Sequence, residues 1–148
     1  MTRLLSTRRE ELPISNLENL MGKSPARIGA LFATVSLPAH FILPDNISHQ
    51  LAAIVLTLVA GIYVGFAVQD GRSKALATEG SIALMFAAAA LVGLAFWHWA
   101  IVIAYALHGF WDLAHHRSVD TAMPKWYVPF CALFDWVFAA GLMVAWAI

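Results

Sequence analysis

One short stretch of the sequence concentrates side chains that can bind a metal ion or move protons. It contains His108, Asp112, His115 and His116 in the pattern H-x3-D-x2-H-H. At about 100° per residue, an α-helix carries these four side chains on one face, spread over roughly 100° of its surface. Imidazole nitrogens and carboxylate oxygens are common ligands of zinc, iron and manganese. The pattern therefore predicts a helix face suited to a divalent metal.

A second carboxylate, Asp135, follows in the last apolar segment of the chain. His108 and Asp135 are each about eight residues, or roughly 12 Å, from the same end of two consecutive antiparallel helices. Ionisable groups at that depth in a membrane cost several kcal/mol unless they are paired or hydrated. We therefore expect a buried pair in which the carboxylate orients the imidazole or both groups bind a cation.

Two interpretations of this group remain open. In the first, the group binds zinc, iron or manganese through His108, Asp112, His115 and Asp135, with His116 as a further candidate near the helix boundary. The candidates for catalysis are then His108, Asp112 and Asp135, and haem or a chlorophyll-type pigment is the less favoured cofactor. In the second interpretation, the same side chains are interhelical hydrogen-bonding groups.

The remaining polar residues have simpler interpretations. Three histidines, His40, His49 and His98, lie at the opposite ends of the predicted helices, where a second site is conceivable but packing is preferred. Cys131 is predicted to pack rather than to act as a nucleophile. A solvated loop is expected around a charged segment that contains Asp70, Arg72, Lys74 and Glu79.

The amino-acid composition indicates whether these helices fold in water or in a lipid bilayer. The chain has 148 residues, of which 61% are hydrophobic and 12% are charged, whereas soluble domains have about 25% charged residues. Such a chain cannot cover itself with polar surface, and we expect an integral membrane protein in contact with the lipid bilayer. Its net charge of zero offers no basic surface for nucleic acid, and its single cysteine excludes an intrachain disulfide.

The apolar segments predict an all-α, polytopic transmembrane helix bundle. Five short spans are expected at about 28–43, 50–69, 80–96, 98–116 and 126–147. The region 81–116 is divided because a single helix would be roughly 54 Å long, far more than a hydrocarbon core of about 30 Å. Residues 1–27 are expected to form a cytoplasmic segment with a short amphipathic, interfacial helix, and residues 28–148 a single transmembrane domain.

Positive charge supports five spans rather than four. All nine Lys and Arg residues lie in the N-terminal segment and in two loops, near 69–80 and 117–126. Five spans place these three segments on one side, which the positive-inside rule identifies as the cytoplasm. Four spans would place Arg117 and Lys125 outside. The N-terminus is therefore predicted to be cytoplasmic.

Two segments together resemble a family of small, uncharacterised bacterial membrane proteins. The first is His108-x3-Asp112-x2-His115-His116, and the second is Pro124-x-Trp126-Tyr127-x-Pro129-Phe130-Cys131-x3-Asp135. The resemblance covers about the last third of the chain and implies a shared fold and site in a bacterial cytoplasmic (inner) membrane, without an established activity. The histidine pair is also similar to the histidine boxes of membrane di-iron desaturases and hydroxylases, but those enzymes use several boxes and this chain has six scattered histidines.

Three classes of function fit these observations. The first is a metal-dependent membrane enzyme that acts on a lipid or another apolar substrate. The second is an accessory or cofactor-binding subunit of a larger membrane complex, and the third is a proton or metal transporter. The spacing Gly61-x3-Gly65 suggests close helix packing, either within the chain or in a homo-oligomer.

Overall fold

The computed structural model describes residues 24–115 and 119–148, and within these ranges the helices are joined by turns and loops, with no β-strand. Its helices are α1 (Pro25–Ser36), α2 (Pro38–Ile42), α3 (Asp45–Asp70), α4 (Ser73–Ala95), α5 (Trp99–His115) and α6 (Tyr127–Ala145). The prediction of an all-α protein is confirmed. The interfacial helix predicted before residue 28 and the candidate ligand His116 lie outside the described residues.

Proline and glycine determine where several helices begin and end. Pro25 occupies the first position of α1, where its missing N–H is not needed. Pro38 has no N–H to continue α1, so the first apolar segment is two helices rather than the single one expected. Gly71 ends α3 in the left-handed conformation, with φ of 78°, and its N–H donates to the carbonyl of Ala67.

The helices α3 to α6 alternate in direction, which gives the bundle two distinct ends. We call one the basic end, because the α3–α4 turn there carries Arg72 and Lys74. The other is the opposite end, where the turns at 42–45 and 95–99 contain no Lys or Arg. Helix α1 runs beside α6 in the same direction, since Gly29 near its start faces the backbone of Phe130 and Leu37 just after its end packs against Gly141. All the candidate ligands near residues 108–115 consequently lie toward the basic end.

The outer surface of the bundle is strongly apolar. Three of the described helices, α3, α4 and α6, are long and apolar enough to cross a membrane. Large side chains point outward along them and along α5, including Leu58, Leu84, Leu91 and Phe110, each at least 60% exposed. Soluble monomers rarely expose contiguous apolar patches of this extent. Lipid is the medium that suits this surface.

The interior combines an apolar layer with a buried polar layer. The apolar layer includes Leu56, Ile101, Phe138 and Leu142, and the hydroxyl of Tyr105 donates to the carbonyl of Ala52 at 2.8 Å. Toward the basic end, Glu79, His108, Asp112 and Asp135 are all fully buried. Buried ionisable groups must find partners or ions in such a medium. The polar layer is therefore the candidate site.

Candidate metal centre

Three buried side chains from two helices form the centre of the polar layer. His108 and Asp112 lie one turn apart on α5, and Asp135 projects toward them from α6. One ligand atom from each of the three lies within 4.8 Å of the others. Because all three are fully buried, the cluster differs from the acidic groups that collect on solvated surfaces. We call these three residues the triad.

The imidazole of His108 lies between the two carboxylates. Its Nδ1 is 2.7 Å from Oδ2 of Asp135 and 3.6 Å from Oδ1 of Asp112. With ionised carboxylates, this geometry requires Nδ1–H to donate to Asp135. A cation that replaced this proton would meet one nitrogen and two carboxylate oxygens. The three side chains could therefore hold a metal ion.

The triad also has buried polar atoms without a partner. Nε2 of His108, Oδ2 of Asp112 and Oδ1 of Asp135 make no hydrogen bond to any described residue. In native structures most buried polar atoms are paired, and an unpaired one points to strain, a catalytic role, or a water or ion. Three such atoms in one cluster of a bundle that is apolar outside favour an ion.

A tyrosine from a third helix holds one of the carboxylates. The hydroxyl of Tyr63, on α3, donates to Oδ1 of Asp112 at 2.5 Å. The edge of Phe86, on α4, packs against the ring of His108 with centroids 4.7 Å apart. Sequence reasoning missed Tyr63, because a tyrosine inside an apolar segment counts as one more large side chain. The signal was its hydroxyl, which must find a partner when the ring is buried.

Glu79 corrects one of the sequence predictions. It was expected in a solvated loop, but it lies in α4 and is fully buried. Its Oε1 is 2.7 Å from Nε2 of His115 and accepts the hydroxyl of Thr121 at 2.7 Å. The structure therefore pairs His115 with Glu79 instead of bringing it into the triad.

The rest of the expected solvated loop is also more ordered than a free loop. The guanidinium of Arg72 donates to Asp70 and to both a carboxylate oxygen and the carbonyl of Asp120, the last two at 2.6 Å. The backbone N–H of Ala122 donates to Asp70 at 2.7 Å. The hydrogen bond from Arg72 lowers the pKa of Asp120. These contacts fix residues 120–122 over the basic end, with Thr121 buried against Glu79.

The other predicted residues take simpler positions. Cys131 is buried next to Tyr63 and Tyr127, as expected of a packing residue. The four best-formed cavities of the described residues have no triad member in their lining. The larger two, of about 410 and 350 Å³, are apolar grooves on the outside of α3, α4 and α5.

The comparisons with known proteins identify a family but no activity. A family model described as a family of unknown function (DUF6010) matches residues 24–146. The match includes the triad, Tyr63 and Glu79. No curated protein and no solved structure gives a significant match.

Proposed function

The chain belongs to the DUF6010 family, whose function is unknown, so family membership implies no activity. From its structure we propose that it is a metal-binding protein of the bacterial inner membrane. In this proposal the triad of His108, Asp112 and Asp135 holds a zinc, iron or manganese ion. The observation that carries the proposal is the convergence of three fully buried ligand atoms within 4.8 Å.

Charge balance supports a divalent ion in particular. Two ionised carboxylates and a neutral imidazole carry a net charge of −2, and such a charge is costly in an apolar bundle. A divalent cation cancels this charge in full, whereas without an ion two protons would have to be bound among the three side chains. Oxygen-rich sets of this kind with one imidazole suit zinc, iron and manganese. Haem or a pigment is less favoured, because Phe86 and Tyr63 pack directly against His108.

The membrane arrangement in this proposal has five spans. In addition to α3, α4 and α6, helix α5 has 17 residues, which is at the lower limit for crossing a bilayer. The fifth span consists of α1 and α2 together, with 12 and 5 residues. Arg27, Arg72, Lys74 and Lys125 then lie on the cytoplasmic side. The triad sits in the cytoplasmic half of the membrane.

A catalytic role for the ion is the more specific part of the proposal. An ion on the triad could polarise a lipid carbonyl or phosphate, or activate water. His108, Asp112 and Asp135 would hold the ion, and access would come from the cytoplasmic side. Because all three triad side chains are fully buried, a substrate could reach the ion only if part of the bundle moved.

An accessory subunit or a homo-oligomer is the second candidate. A methyl group added at Gly61 or at Gly65 would meet no atom within 4 Å, so this face of α3 is not used for packing among the described residues. Small residues on a lipid-facing helix allow a second helix to approach closely. In that case the triad would stabilise the subunit rather than carry out a reaction. Transport is the least favoured class.

Metal analysis of protein purified in detergent tests the proposal. In a His49→Asn/His98→Asn background, which lacks the two histidines at the opposite end, we expect about one ion per chain after incubation with Zn²⁺, Fe²⁺ or Mn²⁺ and removal of excess. Adding His108→Asn or Asp135→Asn to that background should abolish binding of the ion. Lys74→Ala, an exposed substitution at the same end, is the control and should keep the ion. If the folded background protein retains no ion, or if both triad variants retain it, the proposal is wrong.

A further inference from the structure

Three histidines from different parts of the chain meet at the opposite end of the bundle. The rings of His49, on α3, and His98, in the α4–α5 turn, are stacked with centroids 4.8 Å apart and an angle of 5° between their planes. The ring of Trp146 stands edge-on to both, at 4.5 Å from His49 and 5.8 Å from His98. The third histidine, His40, lies behind them and is buried.

His40 has a structural role that the other two lack. The indole N–H of Trp146 donates to Oγ of Ser48 at 2.8 Å, and Nδ1 of His40 is also 2.8 Å from that oxygen. Since an indole can only donate, the hydroxyl hydrogen of Ser48 is free to bond Nδ1 of His40. By contrast, His49 and His98 are half-buried, and no hydrogen bond joins their ring nitrogens to a described residue.

We propose that His49 and His98 form a second, water-accessible site for a borderline transition-metal ion such as Ni²⁺, Cu²⁺ or Zn²⁺. Imidazole nitrogen is the protein ligand that these ions share. The site lies at the far end of the bundle from the triad and does not depend on it. It differs in chemistry as well, since its two defined ligands are nitrogen donors open to water.

The distance between the rings fits this proposal. A metal ion lies about 2.0–2.1 Å from a ligating imidazole nitrogen, and roughly 3.2 Å from the ring centre. Two imidazoles on one ion at an angle between about 90° and 110° therefore have centroids roughly 4.5–5.2 Å apart. The observed 4.8 Å lies in this range. The rings must turn out of their parallel stack, a rotation about χ2 that histidine makes easily.

The local charge also favours a cation. Asp45 lies one turn before His49 on the same face of α3 and adds a negative charge near the pair. No Lys or Arg occurs in the turns at this end. Two imidazoles beside a carboxylate can therefore attract a cation without a competing Lys or Arg side chain.

Trp146 provides a built-in reporter for the test. A paramagnetic ion such as Ni²⁺ bound between His49 and His98 would lie next to the indole and quench its fluorescence. In detergent-solubilised protein titrated with Ni²⁺ alone, we expect saturable quenching that Zn²⁺ reverses by competition. His49→Asn and His98→Asn should each weaken the apparent affinity by more than about tenfold, and the double variant should abolish saturable quenching.

Three controls keep the result interpretable. Gln50→Ala changes an exposed neighbour of His49 and should titrate like the wild type. Trp146→Phe should lose part of the quenching but still bind Ni²⁺ by calorimetry, and the remaining quenching is expected from Trp99, whose ring lies 4.9 Å from that of His98. His108→Asn should be quenched like the wild type, because the triad is separate. The proposal is overturned if the folded wild type shows no saturable quenching, or if the double variant, shown by circular dichroism to be folded, is quenched as strongly as the wild type.

Discussion

At the scale of single residues, the polar layer differs from ordinary membrane-protein packing in its excess of acceptors. By itself, the hydrogen bond between His108 and Asp135, at 2.7 Å, would simply hold α5 and α6 together. Asp112 adds a second carboxylate that this interhelical hydrogen bond does not require, and its Oδ2 has no partner among the described residues. This additional carboxylate is the reason to propose a cation site rather than a structural pair.

A substitution at Tyr63 tests whether metal binding requires Asp112 to be held in place. Tyr63→Phe removes the hydroxyl that donates to Asp112, and hydrogen bonds to charged groups contribute about 1.5–3 kcal/mol. We expect a loss of unfolding free energy of that order, together with a roughly 10- to 100-fold weaker metal affinity. Thermal unfolding in detergent and metal titration would measure the two effects.

Tyr127 supplies a matched control for Tyr63. Its ring is buried close to that of Tyr63, but its hydroxyl has no hydrogen-bond partner among residues 24–115 and 119–148. Tyr127→Phe should therefore leave stability unchanged or slightly raised. Equal losses in the two variants would show that the aromatic ring environment, and not the bond to Asp112, determines the effect.

At the scale of the helices, α4 connects the polar layer to the basic end through Glu79. The Glu79–His115 pair joins α4 to the last turn of α5, and Thr121 adds the following loop. Removing the Glu79 carboxyl leaves Nε2 of His115 and the hydroxyl of Thr121 without this partner, and an unsatisfied buried polar group costs about 1–3 kcal/mol. We expect Glu79→Ala to lose stability by this amount in chemical unfolding.

The exposed neighbour Lys74 is the control on the same helix. Surface substitutions away from packed features change stability by about 0.5 kcal/mol or less, so Lys74→Ala should unfold like the wild type. A similarly small effect of Glu79→Ala would show that the carboxylate does not hold α4 and α5 together.

Helical periodicity and depth predicted the pairing of His108 with Asp135, because both quantities follow from position along two antiparallel helices. The pairing of His115 could not be predicted in this way, since one helix face meets several neighbours. Glu79 was misassigned because charged residues precede it. Its spacing from Ala75, Phe86 and Ala90, all buried on one face of α4, was the available signal for burial.

At the scale of the whole molecule, the proposed five-span arrangement requires both turns at the opposite end to face away from the cytoplasm. Cys131 is buried, and a Cys131→Ser background would allow single cysteines to be placed elsewhere. In cells treated with a membrane-impermeant maleimide, Asn46→Cys should react, whereas Lys74→Cys and Lys125→Cys should react only after permeabilisation. Labelling of Lys125→Cys in intact cells would contradict the five-span arrangement.

The way the helices pack in the whole molecule explains why the candidate site was harder to predict from the sequence than the helical fold. Composition and apolar segments determine a helical membrane bundle, because backbone groups in lipid must be satisfied within each helix. The triad and its contact with Tyr63, in contrast, depend on which faces of α3, α5 and α6 meet. Tyr63 and Asp112 are 49 residues apart in the chain, and no local pattern specifies such a contact.

The measurement that tests the central claim most directly is X-ray absorption at the edge of the bound metal, made on zinc-loaded protein. The His49→Asn/His98→Asn background removes the second site proposed at the opposite end. The account predicts a first shell of nitrogen and oxygen alone, at about 2.0–2.2 Å, with a contribution from a single imidazole. Asp135→Asn in the same background should abolish that signal. A sulfur shell at about 2.3 Å, which would implicate Cys131, or zinc retained unchanged in the Asp135→Asn variant, would contradict it.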